Sequence, residues 1–339
     1  MKRILLAIVV LTMLLTTACN TEELMRAVDP NDDNEYDFTV PKGAGTKQIA
    51  KLLEEAELIN KSYAFVAAAK RLKLDDKLKA GDYKLKKSMT TEQIVQKIAA
   101  GEIYIDLVKV TIPEGFEYVE IADRLEKMAL IDRAKFDDLA ENYNFDYRFL
   151  TTEREYEHRL EGFLYPATYD IKAGSDELTI LKTMLGTFDK HFTDQYYQRA
   201  SELGYTVDQI VTLASVVERE CVVADELKQI SAVFHNRLND EYKLEADSTV
   251  QYITKERKEK MLNSDIAVDT PYNTYMYPGL PPSPICSPSI AAIEAALYPA
   301  DSKLYYFVVT GDNDGRHNFS ETYQQHLKYK REAEAKLKK

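Results

Sequence analysis

Tryptophan is missing from the 339 residues, and only five are histidine. A platform for stacking sugar rings would therefore have to come from the 23 tyrosines or 12 phenylalanines. The histidines are scattered, with no His-Glu-x-x-His, and the three cysteines form no Cys-x-x-Cys. Neither a metal site nor a cofactor is expected from such a set. An excess of positive charge is lacking as well. The net charge is −12, whereas phosphate-neutralising contact with DNA or RNA needs clustered Lys and Arg, so nucleic acid is a poor partner. Long hydrophobic runs are absent too: the one from Ile4 to Leu15 falls short of the roughly 20 residues that span a bilayer as a helix.

What that run does have is the grammar of export. Lys2 and Arg3 precede it, and small residues follow. It ends Leu15-Thr16-Thr17-Ala18-Cys19, which resembles a bacterial lipoprotein signal in which Cys19 is lipidated and becomes the new N-terminus. A simple membrane anchor is the other reading of residues 1–19. Both hold the body at the extracytoplasmic face of the cell membrane. The hydrophobic share of 45% is enough for real cores, and the length suggests two or three domains. In an exported chain Cys221 and Cys286 could form a disulfide, but two buried free thiols are the simpler expectation outside a small cysteine-dense scaffold.

Residues 20–36 carry Asp29-Pro30-Asn31-Asp32-Asp33-Asn34-Glu35, turn formers that read as a linker. Beyond them lies an internal repeat. Thr39-Val40-Pro41-Lys42-Gly43 returns as Thr111-Ile112-Pro113-Glu114-Gly115. At the same offset Ile49-Ala50 matches Ile121-Ala122, Leu53-Glu54 matches Leu125-Glu126, and Leu58-Ile59 matches Leu130-Ile131. Each copy predicts a strand, a Pro-x-Gly turn and a helix. A further strand is expected around Gly81-Asp82-Tyr83, a helix from Thr90-Thr91-Glu92 to about Ala100, and a strand at Ile103 to Val110. The first copy resembles the LysM fold, a small strand-helix-helix-strand module that often binds N-acetylglucosamine-containing glycans. A plain spacer that only positions the rest of the chain is the alternative.

The next informative stretch opens with a capping box, Thr206-Val207-Asp208-Gln209, and runs through Ile210 to Cys221. At about 100° per residue its apolar positions cover well over half the circumference, with a narrow polar strip near Thr212 and Arg219. Glu218 and Glu220 both project inside the apolar arc, about 200° apart, so one cleft can use only one of them. A buried carboxylate is costly unless paired or protonated. Either a neighbouring Arg or Lys neutralises it, or apolar surroundings keep it protonated as a general acid, and the wheel does not choose. Six of the eleven prolines lie between Pro271 and Pro288, so that loop is long but stiff. It could present Tyr272, Asn273, Tyr275 and Tyr277 to a sugar, or plug the core. A hairpin is expected from Lys303 to Phe319, with Ser320 capping a final charged helix.

Six ordered blocks then carry a resemblance. They are Leu160-Glu161-Gly162-Phe163-Leu164-Tyr165-Pro166-Ala167-Thr168-Tyr169, Leu213 to Glu220, Val233-Phe234-His235-Asn236-Arg237-Leu238, Asp247-Ser248-Thr249-Val250-Gln251-Tyr252, Pro271-Tyr272-Asn273-Thr274-Tyr275 with Gly279-Leu280-Pro281-Pro282, and His317-Asn318-Phe319-Ser320. On these the chain is similar to the YceG-like endolytic murein transglycosylases over about residues 37–328. Ser283, Ser287 and Ser289 depart from that family's usual Gly, Asn and Gly. The resemblance implies Glu218 as the catalytic carboxyl, with Glu161, Asp247, Asn273, Tyr275 and His317 lining the cleft.

The fold class expected is α+β, with N-terminal LysM-like strand-helix modules ahead of a mixed α+β catalytic domain. The expected segments are 1–19 anchor, 20–36 linker, 37–110 LysM-like module, 111–154 second repeat, 155–328 catalytic domain and 329–339 charged tail. The implied activity is cleavage of peptidoglycan strands between N-acetylmuramic acid and N-acetylglucosamine with formation of a 1,6-anhydro ring, limiting the length of nascent strands. A muramidase and a non-catalytic wall-binding lipoprotein are the alternatives. Implied partners are peptidoglycan, the cytoplasmic membrane and penicillin-binding synthases.

Overall fold

The computed structural model describes residues 22–150, 158–257, 261–262 and 264–337. The N-terminal apolar run, Cys19, the expected boundary at 154/155 and the last two residues lie outside them. Among the described residues no helix is long and apolar enough to cross a membrane. The chain divides into two compact units, one ending at Asp106 and one beginning at Leu107. The architecture is α+β, with three two-stranded antiparallel sheets among the described residues.

In the first unit β1 (Glu35–Val40) turns into α1 (Thr46–Glu55) and α2 (Ser62–Leu72), and β2 (Gly81–Lys86) returns antiparallel beside β1. The register sets Glu35 opposite Lys86 and Val40 opposite Gly81. Alternate strand residues Phe38, Val40, Tyr83 and Leu85 face the helical stripe of Ile49, Leu53 and Phe65. Then comes α3 (Thr91–Ala100), opened by a capping box in which Thr90 and Gln93 satisfy each other's backbone N–H. Two expectations differ here. The segment read as a linker is tied to this unit, because Met25 enters its core and Asp32 O accepts Ser88 N–H. The strand expected from Ile103 begins only at Leu107; Ile103, Tyr104 and Ile105 run exposed beside β2, tied to it by Tyr104 N–H to Asp82 O.

The second unit repeats the order. β3 (Leu107–Thr111), α4 (Tyr118–Lys127), α5 (Arg133–Asn142) and β4 (Thr168–Lys172) form another strand-helix-helix-strand set, with Thr111 opposite Thr168. The repeat holds to the level of single dihedrals: Gly43 and Gly115 take φ 81° and 73°, and Glu57 and Ala129 both take φ 55°. Both glycines therefore occupy the left-handed region that the Pro-x-Gly turn demands.

The rest is mostly helical: α6 (Glu177–His191), α7 (Asp194–Glu202), α8 (Val207–Glu220), α9 (Leu227–Asn239), α10 (Asp247–Thr254) and α11 (Ile290–Leu297). A hairpin of β5 (Tyr306–Val309) and β6 (His317–Ser320) and a final α12 (Tyr323–Leu337) close the chain. One core runs from Val110 and Ile112 of the repeat to Leu297 of α11, so the second repeat and the helices share it. Ser320 ends β6 opposite Tyr306, and it is Thr322 that accepts Gln325 N–H at the start of α12. The capping box of α8 forms as read, Thr206 with Gln209. Its polar strip does not: every residue from Ile210 to Val217 is buried, Thr212 included, because α11 and α9 pack along the helix.

Candidate active site

Near the end of α8 the helix leaves the core, and Glu218, Arg219 and Glu220 are half-buried. The two glutamates go different ways. Glu218 Oε2 accepts the backbone N–H of Ser289 at 3.0 Å and its Oγ–H at 2.6 Å. Among the described residues no Lys or Arg forms an ion pair with Glu218, so the neutralising cation weighed above is missing there. Glu220 Oε1 instead accepts Ser248 N–H at 3.2 Å. Burial pushes the Glu220 carboxyl above the usual range, and the Asp247 charge adds to this while Ser248 and His317 oppose it.

Three distant segments meet around Glu218. The first is the Pro-x-Gly turn of the second repeat. A Cβ on Gly115 would lie 3.9 Å from both Glu218 Cγ and Arg219 Cδ, so the turn forms one wall. Arg219 Nη1 donates to Gly115 O at 3.3 Å, which spends the neighbouring cation on backbone. The second segment is the proline-rich loop. Gly115 N–H donates to Ser287 O at 2.9 Å and Ser287 N–H returns to Phe116 O at 2.8 Å, a two-bond clasp between loop and turn. The third is α8 itself. Ser215 Oγ accepts Ile285 N–H at 3.0 Å and donates to Thr212 O at 2.7 Å, stitching the loop along the helix.

Gly162 explains the close fit of the loop's middle. At φ 84° an added Cβ would stand 2.5 Å from Pro284 Cβ, a separation that atoms do not tolerate. Beside the Pro-x-Gly turn of the second repeat, a cavity of about 550 Å³ is lined by Lys109, Phe116, Glu120, Arg124 and Met128.

The other expected residues form separate groups. Asp247, Tyr275 and His317 lie on the Glu220 side. Tyr275 OH donates to Asp247 Oδ1 at 2.6 Å, and burial together with that carboxylate raises the Tyr275 phenol. His317 Nδ1 lies 2.8 Å from Glu226 Oε2, and its backbone N–H donates to the same carboxylate at 3.2 Å. Glu161 is 1% exposed. Its two oxygens accept Tyr118 N–H, the first amide of α4, at 3.0 and 3.1 Å, and Tyr252 OH donates at 3.1 Å. Desolvation pushes its pKa up to about 8 against those bonds. Asn273 is fully buried, its Nδ2 donating to Ile266 O and Val268 O and its Oδ1 accepting Tyr275 N–H. Tyr272 is buried too, with its hydroxyl 2.6 Å from Ser283 Oγ, whereas Tyr277 is exposed. Cys221 and Cys286 are free thiols. Among the described residues no group of three or more His, Cys, Asp or Glu converges to hold a metal.

Ser289, Gly115 and Ser215 escaped the residue-by-residue reading. A serine directly before the apolar run of α11 is a cap signal, and Ser289 Oγ does accept Ala292 N–H at 3.1 Å. Nothing local says that its proton goes to Glu218.

Residues 38–332 match the YceG-like family. The chain is 31% identical over 306 residues to the endolytic murein transglycosylase of Streptococcus pneumoniae D39, covering 83% of this chain and 55% of that protein. It thus spans about half the length of the pneumococcal relatives it matches. With the endolytic murein transglycosylase of Bacillus subtilis 168 it shares 28% identity over 320 residues, 91% of this chain and 88% of the other. A crystal structure of a yceG-like protein from Listeria monocytogenes superposes with a TM-score of 0.59 at 31% identity, covering 87% of this chain and 98% of that one.

Proposed function

Since the chain belongs to the YceG-like family, we propose that it is a lytic transglycosylase of peptidoglycan, with Glu218 as both acid and base. The observation that carries this reading is the state of that carboxyl. It is half-buried, paired with no cation among the described residues, and anchored through one oxygen only. Most glycosidases need two carboxyl groups at a set separation. Here the other two acids are committed elsewhere: Glu220 accepts a backbone amide of α10, and Glu161 is sealed under α4.

One carboxyl suffices if the sugar supplies its own nucleophile. Glu218 gives its proton to the glycosidic oxygen as the bond from C1 of N-acetylmuramic acid breaks. The resulting carboxylate takes the proton of the C6 hydroxyl while O6 bonds to C1. No water is consumed, and the acid ends as it began.

Asp247, Tyr275 and His317 hold the Glu220 side of the α8 terminus in this scheme, Asn273 fixes the loop, and exposed Tyr277 is the ring open for stacking. The first unit, with its order β1-α1-α2-β2, is a LysM-like glycan holder, and the second copy is the catalytic unit's own wall. The chain works outside the cytoplasmic membrane, held there by its N-terminal segment and lipidated at Cys19, and trims nascent strands beside penicillin-binding synthases.

Digestion of purified sacculi tests the activity. Glu218→Gln should keep its fold and its binding while turnover falls by about a thousandfold, within the range for loss of a general acid. Mass spectrometry of the wild-type products should give 1,6-anhydro ends. Reducing ends in their place would mean a muramidase, and no cleavage at all a scaffold.

A further inference from the structure

The fold treats the two oxygens of Glu218 unequally. Oε2 accepts both the N–H and the Oγ–H of Ser289, at 3.0 and 2.6 Å. Ser289 Oγ also accepts Ala292 N–H as the cap of α11, which holds the hydroxyl in place beside the carboxyl. Its own proton goes to Glu218 Oε2. Oε1, by contrast, has no hydrogen-bond partner among the described residues. An oxygen that already accepts two donors has both lone pairs engaged, so a proton on this acid belongs to Oε1.

Ser289 is also held from both sides. Ser287, two residues earlier, is clasped by Gly115 and Phe116, and α11 begins one residue later. The hydroxyl therefore sits at a fixed point of the rigid loop. We infer that in this chain, where Ser289 stands in place of the family's usual Gly, Ser289 is a positioning residue particular to this chain, reserving Oε2 for hydrogen bonding so that Oε1 gives and then retrieves the travelling proton. This rests on the acid–base role proposed above for Glu218. A single oxygen serving both half-reactions must point first at the glycosidic oxygen and then at the C6 hydroxyl. With one anchor removed, the terminal torsion of the glutamate broadens, Oε1 spends time out of line, and water competes with the C6 hydroxyl for C1.

The test uses the full chain on purified glycan strands, reading kcat, KM and the ratio of anhydro to reducing ends. Ser289→Gly keeps the backbone donor and is a tolerated cap; Ser289→Thr keeps the hydroxyl. For Ser289→Gly, kcat should drop about tenfold with KM within about twofold, as expected for one charge-assisted bond, and the share of reducing ends should rise. Ser289→Thr should restore both readings to near wild type. The end ratio is counted per cut, so it reports even if a variant folds poorly. An unchanged kcat and end ratio in Ser289→Gly, or a defect that threonine leaves uncorrected, overturns the inference. Should the wild type fail to cut, or Glu218→Gln cut equally well, the acid–base reading itself falls and takes Ser289's role with it.

Discussion

Glu161 is a carboxyl with almost no water around it, and its behaviour follows from that. Burial lifts its pKa to about 8 in the folded protein, against about 4.3 for a solvated glutamate. The folded state therefore binds this proton more tightly than the unfolded state does, and stability declines as pH rises between those two values. The contribution is fully present below the unfolded pKa and is gone once pH passes the folded one. Thermal melts of wild type and Glu161→Gln from pH 5 to pH 9 check this: the melting temperature of wild type should fall more steeply with pH, while that of the amide variant, which still accepts Tyr118 N–H, changes less. Equal slopes would mean that the carboxyl is already ionised at neutral pH. The same scale separates Glu218 from Glu220, which their own helix left comparable, and both from Glu161. Glu161 is sealed, Glu220 faces an α10 amide, and Glu218 keeps an open oxygen. A helical wheel reports only the residue's own helix, so it does not rank Glu218 against Glu220.

Among the elements, the loop between Pro271 and Ser289 matters through its contacts with the rest of the unit. Gly162 lies under Pro284 with no room for a methyl group, so Gly162→Ala must push the loop away. That change should cost about 2–4 kcal/mol from overpacking and a left-handed φ together, visible as a lower denaturant midpoint. Turnover should fall further than stability explains, because Ser289 rides on the displaced segment. Retention of full activity in a stably folded Gly162→Ala would show that the loop does not set the carboxyl.

Elements with local signals were legible in the sequence: the repeat, whose strand, turn and helix recur in both units, the helix cap at Thr90 and the capping box at Thr206. What was hidden depends on tertiary neighbours. Thr212 reads as solvent-facing until Leu238 and the loop at 279–282 come beside it, and Ile103 to Ile105 read as a strand, yet they run exposed beside β2 and are tied to it by Tyr104 N–H to Asp82 O. The Ser289–Glu218 bond joins residues whose spacing carries no pattern, and Asn273 and Tyr272 look like ligands for a sugar but brace their own loop.

At the scale of the molecule, each unit has its own core, one built around Phe38, Phe65 and Tyr83 and the other running from Val110 to Leu297. Units with separate cores fold as separate bodies. Residues 107–339 expressed alone should melt within about 2 °C of the same transition in the full chain and cut soluble strands at the same rate. Retention on sacculi should drop several-fold if the first unit holds glycan, through loss of a second point of attachment. Unaltered retention would make that unit a spacer.

The wall, the acid and its anchor come from Gly115, Glu218 and Ser289, far apart along the chain. A polypeptide still being made has produced the acid long before the serine that holds it. On the acid–base role proposed for Glu218, such an unfinished chain lacks the contacts that set the carboxyl, and they form only when the last third of the protein closes over the Pro-x-Gly turn of the second repeat.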